Sequence, residues 1–123
     1  MILVDTSIWA DHLSQGNSIL LHLLEAEEVL GHPFVVGELA LGHLRPRGII
    51  LNDLRALPQA LVASDREVLN FINEHRLFGR GIGYVDAHLL AATRLTADAE
   101  LWTRDKRLRG AADRLRLAAK LPS

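Results

Sequence analysis

The chain begins Met1-Ile2-Leu3-Val4-Asp5-Thr6-Ser7. The apolar run Ile2-Leu3-Val4, cut off by Asp5-Thr6-Ser7, reads as a buried strand followed at once by a helix start. Helical spacing recurs at Leu20, Leu23, Leu24 and Glu27, after the break Gly16-Asn17-Ser18. A short strand is expected from Val29 to about His32, and Pro33 then occupies the first turn of a helix carrying Glu38 and Leu39. Arg45-Pro46-Arg47-Gly48 reads as a turn, Ile49 to Leu57 as a helix closed by Pro58, and Leu61-Val62 as another short buried strand. Ser64-Asp65-Arg66-Glu67 fits a capping box, opening a helix whose apolar face is Val68, Leu69, Ile72 and His75. Gly79-Arg80-Gly81-Ile82-Gly83 is a flexible connector, and Gly83 to Leu95 the next helix. Ala99 to Thr103 reads as a strand, Asp105 to Asp113 as a helix, and Leu115 to Ala118 as a final edge strand. This alternation favours a three-layer α/β fold, with a mostly parallel central sheet flanked by helices. Ligands of such sheets bind beyond the carboxyl ends of the strands, where Asp5 and the Thr103–Asp105 segment fall.

Composition narrows the function. A chain of 123 residues suits one domain, 1–123, and its 24 leucines with only 5% aromatics call for an aliphatic core. Trp9 and Trp102 are expected inside it. The absence of cysteine excludes a disulfide framework, a thiolate metal site and a cysteine nucleophile. His12 to Leu24, the longest uncharged stretch considered as a membrane span, is only 13 residues and contains Ser, Gln, Gly and Asn. With no basic segment ahead of Asp5 to suggest a signal peptide, a soluble, cytoplasmic protein is expected. No phosphate-binding Gly-Lys-Ser/Thr loop or Gly-x-Ser-x-Gly elbow occurs, and the six histidines show no zinc spacing. His88 falls on a different helix face from Asp86, which suits packing better than ligation.

Three carboxylates stand alone in apolar surroundings. Asp5 is the only charged residue among the first ten, Glu38 the only one between Glu28 and Arg45, and Asp86 the only one between Arg80 and Arg94. An unpaired buried carboxylate costs several kcal/mol, so such acids need a partner or a wet surface. Each has a purely structural reading: Asp5 as a helix cap, Asp86 compensating a helix dipole, Glu38 pointing outward. Taken together, a shared hard divalent cation, magnesium or manganese, answers all three. Asp105, at the end of Leu101-Trp102-Thr103, is a fourth candidate, although Arg104 and Lys106 flank it and a capping role is its simpler reading.

Four blocks in order carry a resemblance: Val4-Asp5-Thr6-Ser7, Gly37-Glu38-Leu39-Ala40-Leu41-Gly42, Tyr84-Val85-Asp86-Ala87-His88-Leu89-Leu90-Ala91-Ala92, and Leu101-Trp102-Thr103-Arg104-Asp105. They span nearly the whole chain, which resembles the PIN-domain ribonucleases and specifically the VapC toxins of bacterial toxin–antitoxin pairs. The resemblance implies a metal-dependent endoribonuclease in which Asp5, Glu38, Asp86 and Asp105 hold magnesium or manganese. Thr6, Ser7 and Thr103 would orient those carboxylates. It further implies a cognate antitoxin whose C-terminal segment occupies a groove over the acids, a toxin homodimer, and structured RNA, transfer or ribosomal, as substrate.

Two other classes compete. A phospho-receiver domain would share the length and the α/β order, with Asp53 as acceptor and Thr103 and Lys106 as its switch pair. Such domains need adjacent acids after the first strand, and only Asp5 is there. The second is a PIN fold serving only as a binding module, against which the intact acids argue. The formal net charge of −1 hides a division. Residues 1–44 carry six acids and no Lys or Arg, whereas 45–123 carry 14 basic and nine acidic residues. Of the 14 basic residues 12 are Arg, suited to bidentate phosphate contacts, and Arg104, Lys106, Arg107 and Arg109 are expected to hold an RNA backbone beside the acids.

Overall fold

The computed structural model describes residues 1–122. Its centre is strand β1 (Ile2–Val4), flanked by β2 (Val29–Leu30) and β3 (Glu100–Trp102) in the order β2-β1-β3. Both pairings are parallel, with Leu3 opposite Leu30 on one side and Leu101 on the other. A central parallel strand is covered on both faces, which is why Leu3 and Val4 are wholly buried and why the run has no polar alternation. Parallel neighbours need long crossovers, and helices supply them. Helices α1 (Thr6–Gln15) and α2 (Ser18–Glu25) join β1 to β2. Between β2 and β3 come α3 (Pro33–Ala40), α4 (Arg47–Ala56), α5 (Asp65–Glu74) and α6 (Tyr84–Leu95), and α7 (Lys106–Arg114) follows β3. The three-layer α/β architecture expected from the sequence, a parallel central sheet flanked by helices, is the one observed.

Several local expectations hold. Pro33 opens α3, and both arms of the Ser64 capping box are made: Glu67 N donates to Ser64 Oγ at 3.1 Å and Ser64 N to Glu67 Oε1 at 2.9 Å. Trp9 and Trp102 are both in the core, the latter with its indole N–H donated to Pro122 O at 2.9 Å.

Others need correction. Leu61-Val62 is not a buried strand: both side chains are largely exposed. Parallel pairing occurs earlier, between Gly31 and Gln59, where Gly31 N donates to Pro58 O at 2.8 Å and Ala60 N to Gly31 O at 2.9 Å. The small Ala60 and Ala63 are the buried residues there. The edge strand at Leu115–Ala118 shrinks to a bridge between Ala118 and Leu101, because Leu115 caps α7 and Arg116 turns left-handed at φ 60°. Leu69 faces solvent rather than the core, and Phe71 takes its place beside Val68. The turn at 45–48 is already helical from Arg47.

Candidate active site

The parallel sheet places the ends of β1 and β3 side by side. Asp5 N donates to Trp102 O at 2.9 Å, so the residues after both strands share one surface. Asp5 sits at the N-cap position of α1, yet its carboxylate makes no capping bond. Instead Asp5 Oδ2 accepts from Thr103 Oγ1 at 2.7 Å and from Ser7 Oγ at 2.9 Å. The two hydroxyls extend the network, Ser7 Oγ accepting from Arg104 N at 3.1 Å and Thr103 Oγ1 from Asp105 N at 3.0 Å. A buried carboxylate held by two hydroxyl donors on one oxygen keeps a fixed orientation without a cation of its own.

The other three acids come from three helices. Glu38, exposed on α3, accepts from Thr6 Oγ1 at 2.6 Å through Oε1. Asp86 is half-buried in the first turn of α6, its Oδ2 facing Gly83 N at 3.3 Å. Asp105 caps α7, with Oδ1 taking the N–H groups of Arg107 at 2.9 Å and Leu108 at 3.1 Å. The capping expected of it is therefore real, and it leaves Oδ2 outside those bonds. Burial, and then the negative charges of Asp5, Asp105 and Glu38, push the Asp86 carboxyl above the ordinary carboxylate value, against the opposing pull of the Gly83 N–H. Asp86 thus feels the charges of the other three acids.

A hard cation fits this donor set, which offers carboxylate and hydroxyl oxygens and no sulfur. Among the described residues, the ion pairs Arg104–Asp11 and His88–Asp65 touch none of the four acids. No three acidic or histidine side chains among the described residues form a ready metal-holding group. Magnesium, which retains several waters and takes one or two carboxylates, does not need one.

No protein-family model matches the chain. Ribonuclease VapC32 of Mycobacterium tuberculosis, in the CDC 1551 / Oshkosh and ATCC 25618 / H37Rv strains, is 48% identical over 111 residues, covering 90% of both chains. The chain belongs to the VapC ribonuclease family. In fold it is also similar to the crystal structure of FitAcB from Neisseria gonorrhoeae, with a TM-score of 0.61 at 22% identity, covering 92% of this chain and 94% of that one.

Around this site, the remaining expectations divide. Asp53, the acceptor that a receiver domain would need, lies within helix α4 and not at a strand end. The four basic residues named for RNA are not equivalent. Arg104 Nη1 is held 3.0 Å from Asp11 Oδ1, and its side chain is only about half exposed. Asp11 is drawn below its ordinary pKa chiefly by the Gln15 side-chain hydrogen bond, with burial opposing and Asn17 and Arg104 assisting. Lys106 and Arg107 are exposed and Arg109 is half-buried. Nothing in the local sequence signals the Asp11–Arg104 link, which spans the chain from α1 to the β3–α7 junction. A cleft of about 330 Å³ lies beside Thr6 and Glu38, walled by Ala10, Leu13, Leu39 and Leu44. His88 is buried as packing, tilted against Phe34 and edge-on to Tyr84, with Nε2 3.3 Å from Asp65 Oδ1. No helix among the described residues is long and apolar enough to cross a membrane.

Proposed function

We propose that this chain is a divalent-metal-dependent endoribonuclease, the toxin of a toxin–antitoxin pair, which cleaves structured RNA such as transfer or ribosomal RNA and so inhibits translation. The observation that carries the reading is the junction of two strand ends: Asp5 N is bonded to Trp102 O, and the Thr103 hydroxyl joins Asp5 Oδ2 to the amide of Asp105, so carboxylates stand where ligands of a parallel sheet bind. Asp5, Glu38, Asp86 and Asp105 would hold magnesium or manganese. When bound, the metal supplies activation of a water and charge neutralisation on the phosphodiester. The chain's own residues do the rest. Thr103 and Ser7 fix Asp5, Thr6 fixes Glu38, and the α6 and α7 N-termini present Asp86 and Asp105. Positive helix ends beside the site favour an incoming phosphate. No protein nucleophile is required, in keeping with the absence of cysteine.

The partners follow from the same reading: a cognate VapB-like antitoxin whose segment fills the cleft beside Glu38, and a second copy of the toxin. The VapC32 relatives, named ribonucleases, support the activity. The test is purified protein freed of antitoxin, incubated with cellular RNA and magnesium or manganese. Metal-dependent cleavage that Asp5→Asn abolishes is the expected result. No cleavage by the wild type with either metal, together with unaltered growth inhibition by Asp5→Asn, would overturn it.

A further inference from the structure

Only the last residue of the connector Gly79-Arg80-Gly81-Ile82-Gly83 enters the chemistry above, through the Gly83 N–H facing Asp86, yet the backbone ahead of it is unusual in an instructive way. Gly79 and Gly81 are both left-handed, at φ 72° and 75°, a region that side chains disfavour. Their surroundings differ. A methyl group on Gly79 would meet nothing within 4 Å. On Gly81 it would lie 2.6 Å from Arg107 Nη1, 3.0 Å from Cδ and 3.1 Å from Cζ. The outer stem and guanidinium of Arg107 therefore rest on the bare face of Gly81.

This contact joins the starts of two helices that carry acids. Two residues beyond Gly81, Gly83 N faces Asp86 Oδ2 at 3.3 Å and launches α6. At the other end, the backbone N–H of Arg107 is donated to Asp105 Oδ1 at 2.9 Å in the cap of α7. We infer that Arg107 is a positioning residue: seated on Gly81, it ties the start of α6 to the start of α7 and sets Asp86 against Asp105. The basic residue grouped by sequence with the RNA contacts is thus committed to a loop of its own chain. The inference rests on the reading of the four acids as the metal site.

Manganese titration calorimetry on the folded, antitoxin-free protein tests it, with metal alone as the probe and thermal melts confirming that each variant is folded. Loss of a cation beside an acidic site would, by charge alone, tighten metal binding. Arg107→Ala is nevertheless expected to weaken it by about tenfold, the lower end of what losing a supporting group around metal ligands costs. Gly81→Ala, which keeps the charge but displaces the guanidinium, should weaken it similarly. Gly79→Ala imposes comparable left-handed strain without touching Arg107 and should leave manganese affinity unchanged. If Arg107→Ala leaves binding unchanged or tightens it, or if Gly81→Ala and Gly79→Ala behave alike, the inference is overturned. Asp86→Asn separates the two levels. Weakened binding there with no effect at Arg107 removes only the positioning role, whereas unchanged binding in Asp86→Asn removes the metal-site reading and this inference with it.

Discussion

Thr103 links two of the four acids through a single oxygen. Its hydroxyl donates to the buried Asp5 at Oδ2 and accepts the amide of the exposed Asp105, Thr103 itself being buried. Thr103→Val keeps the shape and removes both bonds, leaving a buried carboxylate with one hydroxyl donor fewer. The expected cost is roughly 1–3 kcal/mol of stability in chemical denaturation. Manganese affinity should fall by about 10–100-fold, as for other groups that orient metal ligands. Thr103→Ser, which restores the hydroxyl, should recover most of both; a valine variant with wild-type manganese binding would show that Asp5 needs no such support. At Glu38 the complementary change is Glu38→Gln, whose carbonyl oxygen can still accept from Thr6 Oγ1. Its fold should therefore survive while manganese binding weakens clearly, and unchanged affinity in calorimetry would take Glu38 out of the site.

At the scale of elements, α3 is the helix whose start responds to pH. His32 is its N-cap, wholly buried, with Nδ1 accepting from Phe34 N at 3.0 Å and the ring edge-on to Phe34. Its Nε2 has no hydrogen-bond partner among the described residues. Burial, and then the charge of His88, pull its pKa from 6.5 to about 4. The unfolded chain therefore binds more protons than the folded one between these values, so stability is complete above pH 6.5 and falls as pH drops towards 4. The loss at the acid end is at most about 3 kcal/mol. His32→Asn, a good N-cap that does not titrate, should give a lower but flatter stability profile across the window in urea denaturation. A wild-type profile already flat there would refute the assignment. These elements also show what a sequence reveals. The run Ile2-Leu3-Val4 is legible because burial on both faces writes itself as unbroken apolar residues, and the Ser64 box because its donors and acceptors are local. The bridge at Gln59 is made by backbone groups of Gly31, Pro58 and Ala60, so no side-chain pattern marks it, and the exposed Leu61-Val62 imitates the missing strand. Isolation made Asp5, Glu38 and Asp86 stand out one by one. The bond from Thr103 to Asp5 joins residues 98 positions apart, which no spacing rule can show.

For the whole molecule the decisive property is the uneven charge. The first 44 residues have no Lys or Arg, and residues 104–120, which begin beside Asp105, hold seven basic against two acidic residues. RNA binding should then weaken steeply with salt, since each phosphate contact releases counterions. The structure ranks the contributors, because a guanidinium already occupied at home releases fewer of them. Arg104 is paired with Asp11 and Arg107 rests on Gly81, whereas Lys106 is exposed in the first turn of α7. Binding of a transfer-RNA preparation, followed by fluorescence anisotropy without divalent metal over a salt series, separates the three. Lys106→Ala should reduce the slope of log affinity against log salt by about 0.7–0.9, one contact's worth. Arg104→Ala should reduce it by less, because removing its charge also frees Asp11. Arg107→Ala should leave the slope unchanged. Equal reductions in all three variants would mean that the basic cluster meets RNA as an undifferentiated patch, and that the contacts of Arg104 and Arg107 within the chain give way when RNA arrives.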